Sequence, residues 1–555
     1  MSVWLAIVVV YGLALLGLSL YSLNHAALSV VFWRHRRRLR PAGTLPAGTV
    51  PWVTLQLPMY NEFYVAERVI RSACDVDYPA DRLEIQVLDD STDETLELTR
   101  RLVAEYQARG VSIVHLHRQD RKGFKGGALA HGFARARGEF VAVFDADFVV
   151  PRDFLRRTLP HFADPSTGIV QTRWAYFNET FSELTRAMAL ALDGHFVVEQ
   201  SARCWAGWFM NFNGTAGVLR AQAIVDAGGW QDDTITEDLD LSYRAQLAGW
   251  GAKYVPEIAC DSEIPTDIHS LKTQQFRWTK GAQETARKIL PALWRSQYPL
   301  AVKCQGTVHL LSSLAYPLII TIAILNPFVM VASTSHQLGV VWPVWSLNLV
   351  AFAGTLCCYY TAALELGGAW WSRIARFPLF LALSVGMSVH NTRAALEGML
   401  GKRSAFERTP KYRVTGDTGA SPLERGDSRT KSTPGSGRAR YKSQASWSVI
   451  GEFALAFMSL IAAVMAAWVG NFGALPFLVV FTVGYTLVGA YSIAHMRYAS
   501  RQIRLVPGLR AVGHATAHLG VGVGVGVGAG AAGIEAVAGG AGSPATAASS
   551  VVSAA

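Results

Sequence analysis

Five apolar runs of membrane-crossing length, arranged around one long polar segment, constrain the fold of this 555-residue chain more than any other feature. The first, Trp4 to Leu23, is followed by Arg34, Arg36, Arg37, Arg38 and Arg40. About 20 apolar residues cross a hydrocarbon layer of roughly 30 Å, and clustered arginines stay on the cytoplasmic side. The stretch before Trp4 has no Lys or Arg, which favours an anchor over a cleaved signal peptide. Four further runs lie near Leu310–Ala332, Val340–Leu364, Ile450–Val469 and Leu475–His495. An even number of later crossings returns the chain to its starting side, so the N-terminus is expected outside and the polar segment inside. Phe377–Val389 is too short to span and precedes Arg393, Lys402 and Arg403, so it reads as an interfacial helix.

The expected organisation is an anchor over residues 1–30, a catalytic domain over 47–296, and two spans over 305–368. An interfacial helix with a loop follows over 369–412, then a disordered insert over 413–445, two spans over 448–497 and a low-complexity tail over 498–555. The net charge of +10 is concentrated beside the membrane ends, without a compact basic domain. Membrane lipids are therefore the expected partner and nucleic acid is not. The six cysteines have no C-x-x-C spacing, which argues against zinc and against a disulfide framework.

From Trp52 onward the pattern changes to short apolar strands alternating with helices. Val53–Leu57, Glu84–Leu88, Val111–Leu116 and Phe140–Phe144 read as strands, with helices near Tyr64–Cys74, Glu94–Ala108 and Gly127–Ala136. That βαβ repeat predicts an α/β domain whose ligand lies beyond the carboxyl ends of the strands. Asp89 and Asp90 end the second strand, and Asp145 and Asp147 follow the fourth.

The acids suit a nucleotide sugar. Asp145-Ala146-Asp147 offers oxygen ligands, which favour Mg²⁺ or Mn²⁺, and a divalent cation neutralises a departing diphosphate. Asp89 or Asp90 is expected to accept hydrogen bonds from the nucleoside. Ser91 and Glu94 fit a capping box, as do Thr234 and Glu237. Lys125, in the turn Gly123-Phe124-Lys125-Gly126-Gly127, is placed to approach a phosphate. Asp238, beside Glu237 at a helix start, is the expected base, because an inverting transfer needs one opposite the leaving group. Gln274, Arg277 and Trp278 share one helix face, where arginine holds diphosphate and tryptophan stacks on sugar.

The ordered stretches Gln56-Leu57-Pro58-Met59-Tyr60-Asn61-Glu62, Val87 to Asp93, Phe144 to Phe148, Asn211 to Gly217 and Gln274-Gln275-Phe276-Arg277-Trp278 resemble the processive, membrane-embedded family 2 glycosyltransferases. The resemblance spans about residues 50–412 and is nearest the cellulose-synthase-like mannan and glucan synthases. It implies a Rossmann-like GT-A domain joined to membrane helices, and inversion at the anomeric carbon. It also implies a UDP-glucose or GDP-mannose donor, a growing polysaccharide or a lipid as acceptor, and accessory export subunits. By position it assigns the nucleotide sugar to Asp145, the metal to Asp147 with Asp145, the base to Asp238 beside Glu237, and diphosphate and acceptor to Arg277 and Trp278. Asn213-Gly214-Thr215 matches the acceptor-end motif. Phe406 to Lys411, including Thr409, resembles the F-x-V-T-x-K gating loop, with Arg408 in place of valine. Transfer of one sugar to a membrane lipid and an inactive conduit subunit are the alternatives.

Overall fold

The computed structural model describes residues 3–37, 43, 50–333, 341–402, 404, 408, 409, 411 and 448–504. The expected insert, the tail beyond residue 504, Arg38, Arg40, and Phe406, Glu407 and Pro410 of the gating-like loop lie outside the described residues. The chain divides into two units, Met1–Gln502 and Ile503–Ala555. Of the second, only Ile503 and Arg504, at the end of a helix, are described.

Among the described residues seven strands form one mixed sheet: β1 (Val53–Met59), β2 (Leu83–Asp89), β3 (Ile113–His117), β4 (Phe140–Val143), β5 (Thr167–Tyr176), β6 (Gly217–Arg220) and β7 (Gly251–Ser262). Their order is β3-β2-β1-β4-β6-β5-β7, with β6 antiparallel to both neighbours and the other pairs parallel. Every residue of β1 and β2 is buried, as parallel strands covered on both faces require. Their polar residues satisfy one another across the register: Thr54 donates to Glu84 at 2.9 Å and Gln56 to Gln86 at 3.0 Å.

Several local expectations are corrected. The third strand starts at Ile113 because the Val111 amide still bonds to the carbonyl of Tyr106 at the preceding helix end. The helix expected from Gly127 begins at Phe124, directly after Gly123 turns the chain at φ +72°. Neither capping box forms. The helix Thr95–Ala108 starts one residue late, and the Ser91 hydroxyl instead accepts the Asn61 amide at 2.8 Å. The helix Glu237–Leu247 has Thr236 at its cap without a side-chain bond, and Thr234 donates to the Thr236 carbonyl.

Among the described residues, five helices are long and apolar enough to cross a membrane: Val3–His35, Ser312–Ser333, Ser346–Leu366, Ser448–Trp468 and Leu475–His495. The expected interfacial helix is two helices, Phe377–Gly386 and Ser388–Met399. With the residues from Trp370 onward they form a pair bent by 51°, which would be a sixth crossing if it spans as one. The first helix packs tightly on the third: a Cβ on Gly354 would lie 2.1 Å from the Ser22 carbonyl, and Ser22 Oγ donates to the Val350 carbonyl. Lys272, on the helix Ile268–Arg295, pairs with buried Glu452 at 2.5 Å and donates to Ser492 at 3.0 Å. Deleting one member of such a buried pair costs roughly 3–5 kcal/mol, so this helix is pinned to two membrane-type helices.

Candidate active site

Beyond the carboxyl ends of β1, β2 and β4, where the strand order reverses between β1 and β4, lies a cavity of about 180 Å³. Asp90, Lys125, Asp145, Asp147, Asn213, Glu237, Asp238, Gln274, Arg277, Trp278 and Thr409 all line it. Asp89, Gly214 and Thr215 do not.

Asp89 is fully buried and committed to internal partners: its carboxylate accepts from the Ser91 amide at 2.8 Å and Thr99 Oγ1 at 2.6 Å, and meets His115 Nε2 at 3.0 Å. Those bonds hold its carboxyl below the usual range against the opposing effect of burial. Asp90 is the member of the pair that reaches the cavity, gripped by Arg118 through Nε at 2.8 Å and Nη2 at 2.5 Å. Thr215 is likewise internal, accepting the Asp145 amide at 2.9 Å and so setting the start of the acidic loop. Gly214 contributes its carbonyl, which accepts from Lys125 Nζ at 2.9 Å.

Lys125 sits in the first turn of the helix Phe124–Phe133 and its ammonium is 2.6 Å from Asp145 Oδ1 and 3.9 Å from Glu237 Oε1. Burial pushes Asp145, Glu237 and Asp238 upward, Glu237 to about 7, while Lys125 pulls all three back. Asp238 Oδ1 accepts the Leu239 amide at 2.8 Å. The loop before it is tied to the helix Ile268–Arg295 by the Ile235 amide donating to Glu284 at 2.8 Å and by Thr236 meeting Thr285. Gln274, Arg277 and Trp278 therefore share one cavity with Asp238.

Arg408, Thr409 and Lys411, the described residues of the gating-like loop, also line the cavity. Arg277 donates to Thr409 Oγ1 at 2.9 Å, Lys411 Nζ lies 2.6 Å from Asp147 Oδ2, and Lys411 also donates to the Glu263 carbonyl. Arg408, the departure from valine, forms a two-pronged pair with Glu62 at 2.8 and 2.7 Å and donates to the Asn61 carbonyl. Burial, outweighing Arg408, pushes Glu62 up to about 7.

Asp145 and Asp147 supply an all-oxygen donor set suited to Mg²⁺ or Mn²⁺, with each carboxylate facing an ammonium whose place a cation can take. Among the described residues no group of three or more His, Cys, Asp or Glu could hold a metal by itself. A cation held by these two carboxylates would complete its shell with water and phosphate oxygens.

Sequence reasoning gave no role to Tyr60 and Glu62, although they lie in the Gln56–Glu62 stretch, and missed Arg118, Arg121 and Trp174. Arg121 lies 3.4 Å over the Tyr60 ring, and Trp174 stands 6.4 Å from Trp278 between ring centres. The arginines follow β3 in a loop with no motif, and Trp174 looks like any strand aromatic. A second cavity, of about 800 Å³, adjoins the first; Trp174, Asn213, Asp238, Gln274 and Trp278 line both. It runs among Leu15, Ile322, Phe352 and Phe481 of the membrane-type helices.

Residues 51–281 match the family model described as glycosyltransferase like family 2. The chain is 36% identical over 377 residues to probable glucomannan 4-beta-mannosyltransferase 4 of Oryza sativa subsp. japonica, covering 64% of this chain and 65% of that protein. It is 45% identical over 247 residues to probable glucomannan 4-beta-mannosyltransferase 7 of the same plant, covering 44% and 42%. The matches thus span less than two thirds of these relatives' length. Among solved structures, a mannosyltransferase from Pyrobaculum calidifontis in complex with GDP-Man and Mn²⁺ shares the fold at TM-score 0.51 and 20% identity, over 71% of this chain and all of that one.

Proposed function

From the family 2 glycosyltransferase domain that the chain carries over residues 51–281, we propose that it transfers mannose from GDP-mannose to the end of a growing β-linked polysaccharide and passes the product into its membrane helices. The donor and the β-linkage are taken from the mannosyltransferase relatives. The observation that carries processivity is the shared wall of the two cavities, since an acceptor end beside Asp238 and Trp278 has the larger cavity directly ahead of it.

In this reading Asp90 accepts from the base or ribose, and Asp145 and Asp147 hold a divalent cation. When bound, that cation neutralises charge on the diphosphate. Asp238 takes the proton of the acceptor hydroxyl, whose oxygen attacks the anomeric carbon from the face opposite the diphosphate. The bond to the diphosphate breaks, and Arg277 and Lys125 hold the departing group. A carboxyl raised by burial is a stronger base than an exposed aspartate, which suits Asp238 to the task.

Purified protein given labelled GDP-mannose or UDP-glucose tests the proposal. Long, mannanase-sensitive product from GDP-mannose is expected. A singly glycosylated lipid at every time point would replace it with the lipid-transferase reading, for which the apolar walls of the larger cavity would also have room.

A further inference from the structure

His25 of the helix Val3–His35, and His195 and Glu199 of the segment Gly194–Glu199, line the larger cavity and have no part in the chemistry above. That segment is wound as a π-helix, a geometry concentrated at functional sites. Glu199 faces Arg203 at 2.9 Å, His25 Nε2 at 3.2 Å and His195 Nδ1 at 3.7 Å. Arg203 alone, itself buried, would neutralise the carboxylate, so a merely structural ion pair leaves both histidines unexplained. His25 is 3% exposed, and its Nδ1 has no hydrogen-bond partner among the described residues. An ionisable group within a membrane-type helix commonly marks a substrate path.

The cluster is wired to the active site. Gln200 Nε2 donates to the Asn211 carbonyl at 2.7 Å and to Asn213 Oδ1 at 2.8 Å, which fixes the Asn213 amide. Its Nδ2 must then donate to His195 Nε2, 3.1 Å away, and His195 carries its own proton on Nδ1, toward Glu199. Asn213 lines both cavities. Aromatic surface stands alongside: Tyr21 lies 4.5 Å and Tyr359 6.4 Å from His25 between ring centres. A buried carboxylate, imidazoles and tyrosine faces together form the chemistry that recognises sugar hydroxyls and the apolar faces of pyranose rings.

We propose that His25, His195 and Glu199 form a second carbohydrate subsite, where the active-site cavity opens into the larger one, which holds the sugar units already added to the acceptor. This subsite rests on the processive reading above. It makes the hold on the chain end a property of residues outside the reacting centre, and it gives the first membrane helix a direct part in acceptor binding.

The test uses the full chain in lipid nanodiscs and β-1,4-mannohexaose as probe, with binding measured calorimetrically in the absence of donor. His25→Phe and His195→Ala leave the Glu199–Arg203 pair in place and so keep the fold. Each should weaken binding by about tenfold, as loss of a hydrogen bond in a charged network entails. In transfer assays the KM for the hexasaccharide should rise in step, while the KM for donor moves by less than about twofold. His195→Gln, which keeps a polar side chain there, should recover most of the affinity. If wild type binds the hexasaccharide and the variants bind it equally well, the subsite is overturned and the processive reading stands. If wild type binds no oligosaccharide and makes only a singly glycosylated lipid, both fall.

Discussion

The ammonium of Lys411 lies 2.6 Å from Oδ2 of Asp147, the carboxylate expected to hold the cation. One carboxylate oxygen cannot serve both at full strength, so metal binding and seating of this lysine are linked. Activity with labelled donor should require Mg²⁺ or Mn²⁺, and Asp147→Ala should abolish it while the melting temperature is kept. Transfer by that variant in excess EDTA would refute the assignment.

Gly214 and Asp238 are in near contact: a Cβ on Gly214 would sit 2.6 Å from Asp238 Oδ2, and φ there is +77°. Gly214→Ala should therefore act like damage to the base. Asp238→Asn should lower kcat by roughly 10²–10⁴ with donor affinity largely retained, and Gly214→Ala should also lower it. An unchanged kcat in a folded Asp238→Asn protein would place the base elsewhere.

Burial raises Glu62 and Glu237 from the usual 4.5 to about 7. Between those values each holds a proton in the folded chain that it has released in the unfolded chain. Stability should thus fall as pH rises across that window and level off above it. Glu237→Gln removes one of the two contributions, and thermal melting from pH 4.5 to 8 should show a shallower slope. A slope identical to wild type would place the proton uptake on other groups.

Trp278 lines both cavities and stands beside Trp174. Trp278→Ala removes a stacking surface of about 1 kcal/mol. Polymer length should shorten more than donor turnover falls, as read by gel filtration of the labelled product.

If the five helices of membrane-crossing length each span and the bent pair does not, the flanking basic residues would put the catalytic domain inside and the turn between the last two helices outside. With the native cysteines replaced, a membrane-impermeant reagent on intact cells should label Phe472→Cys, between the last two spans, and miss Glu97→Cys in the catalytic domain. The reverse pattern would invert the topology.

The four parallel strands around β1 were legible because each is an apolar run bounded by polar turns. β5, β6 and β7 were not: β6 carries only Val218 and Leu219 as large apolar residues, and polar residues interrupt β5 at Gln171 and Arg173 and β7 at Lys253 and Glu257. Asp89 and Asp90 are indistinguishable as letters. In the fold, alternation along a strand end turns Asp89 into the protein and Asp90 into the cavity.

The sequence by itself determined the membrane-length helices, the acids at the strand ends and the Gln274–Trp278 face, because burial and periodicity are local properties of a chain. Only the tertiary structure decided which charges meet. Arg408 grips Glu62 across 346 residues, Lys411 reaches Asp147, and His25 of the first helix meets Glu199. Such pairs depend on where distant segments return in space, and the low-dielectric interior makes each partner's position matter far more than its residue type alone can tell.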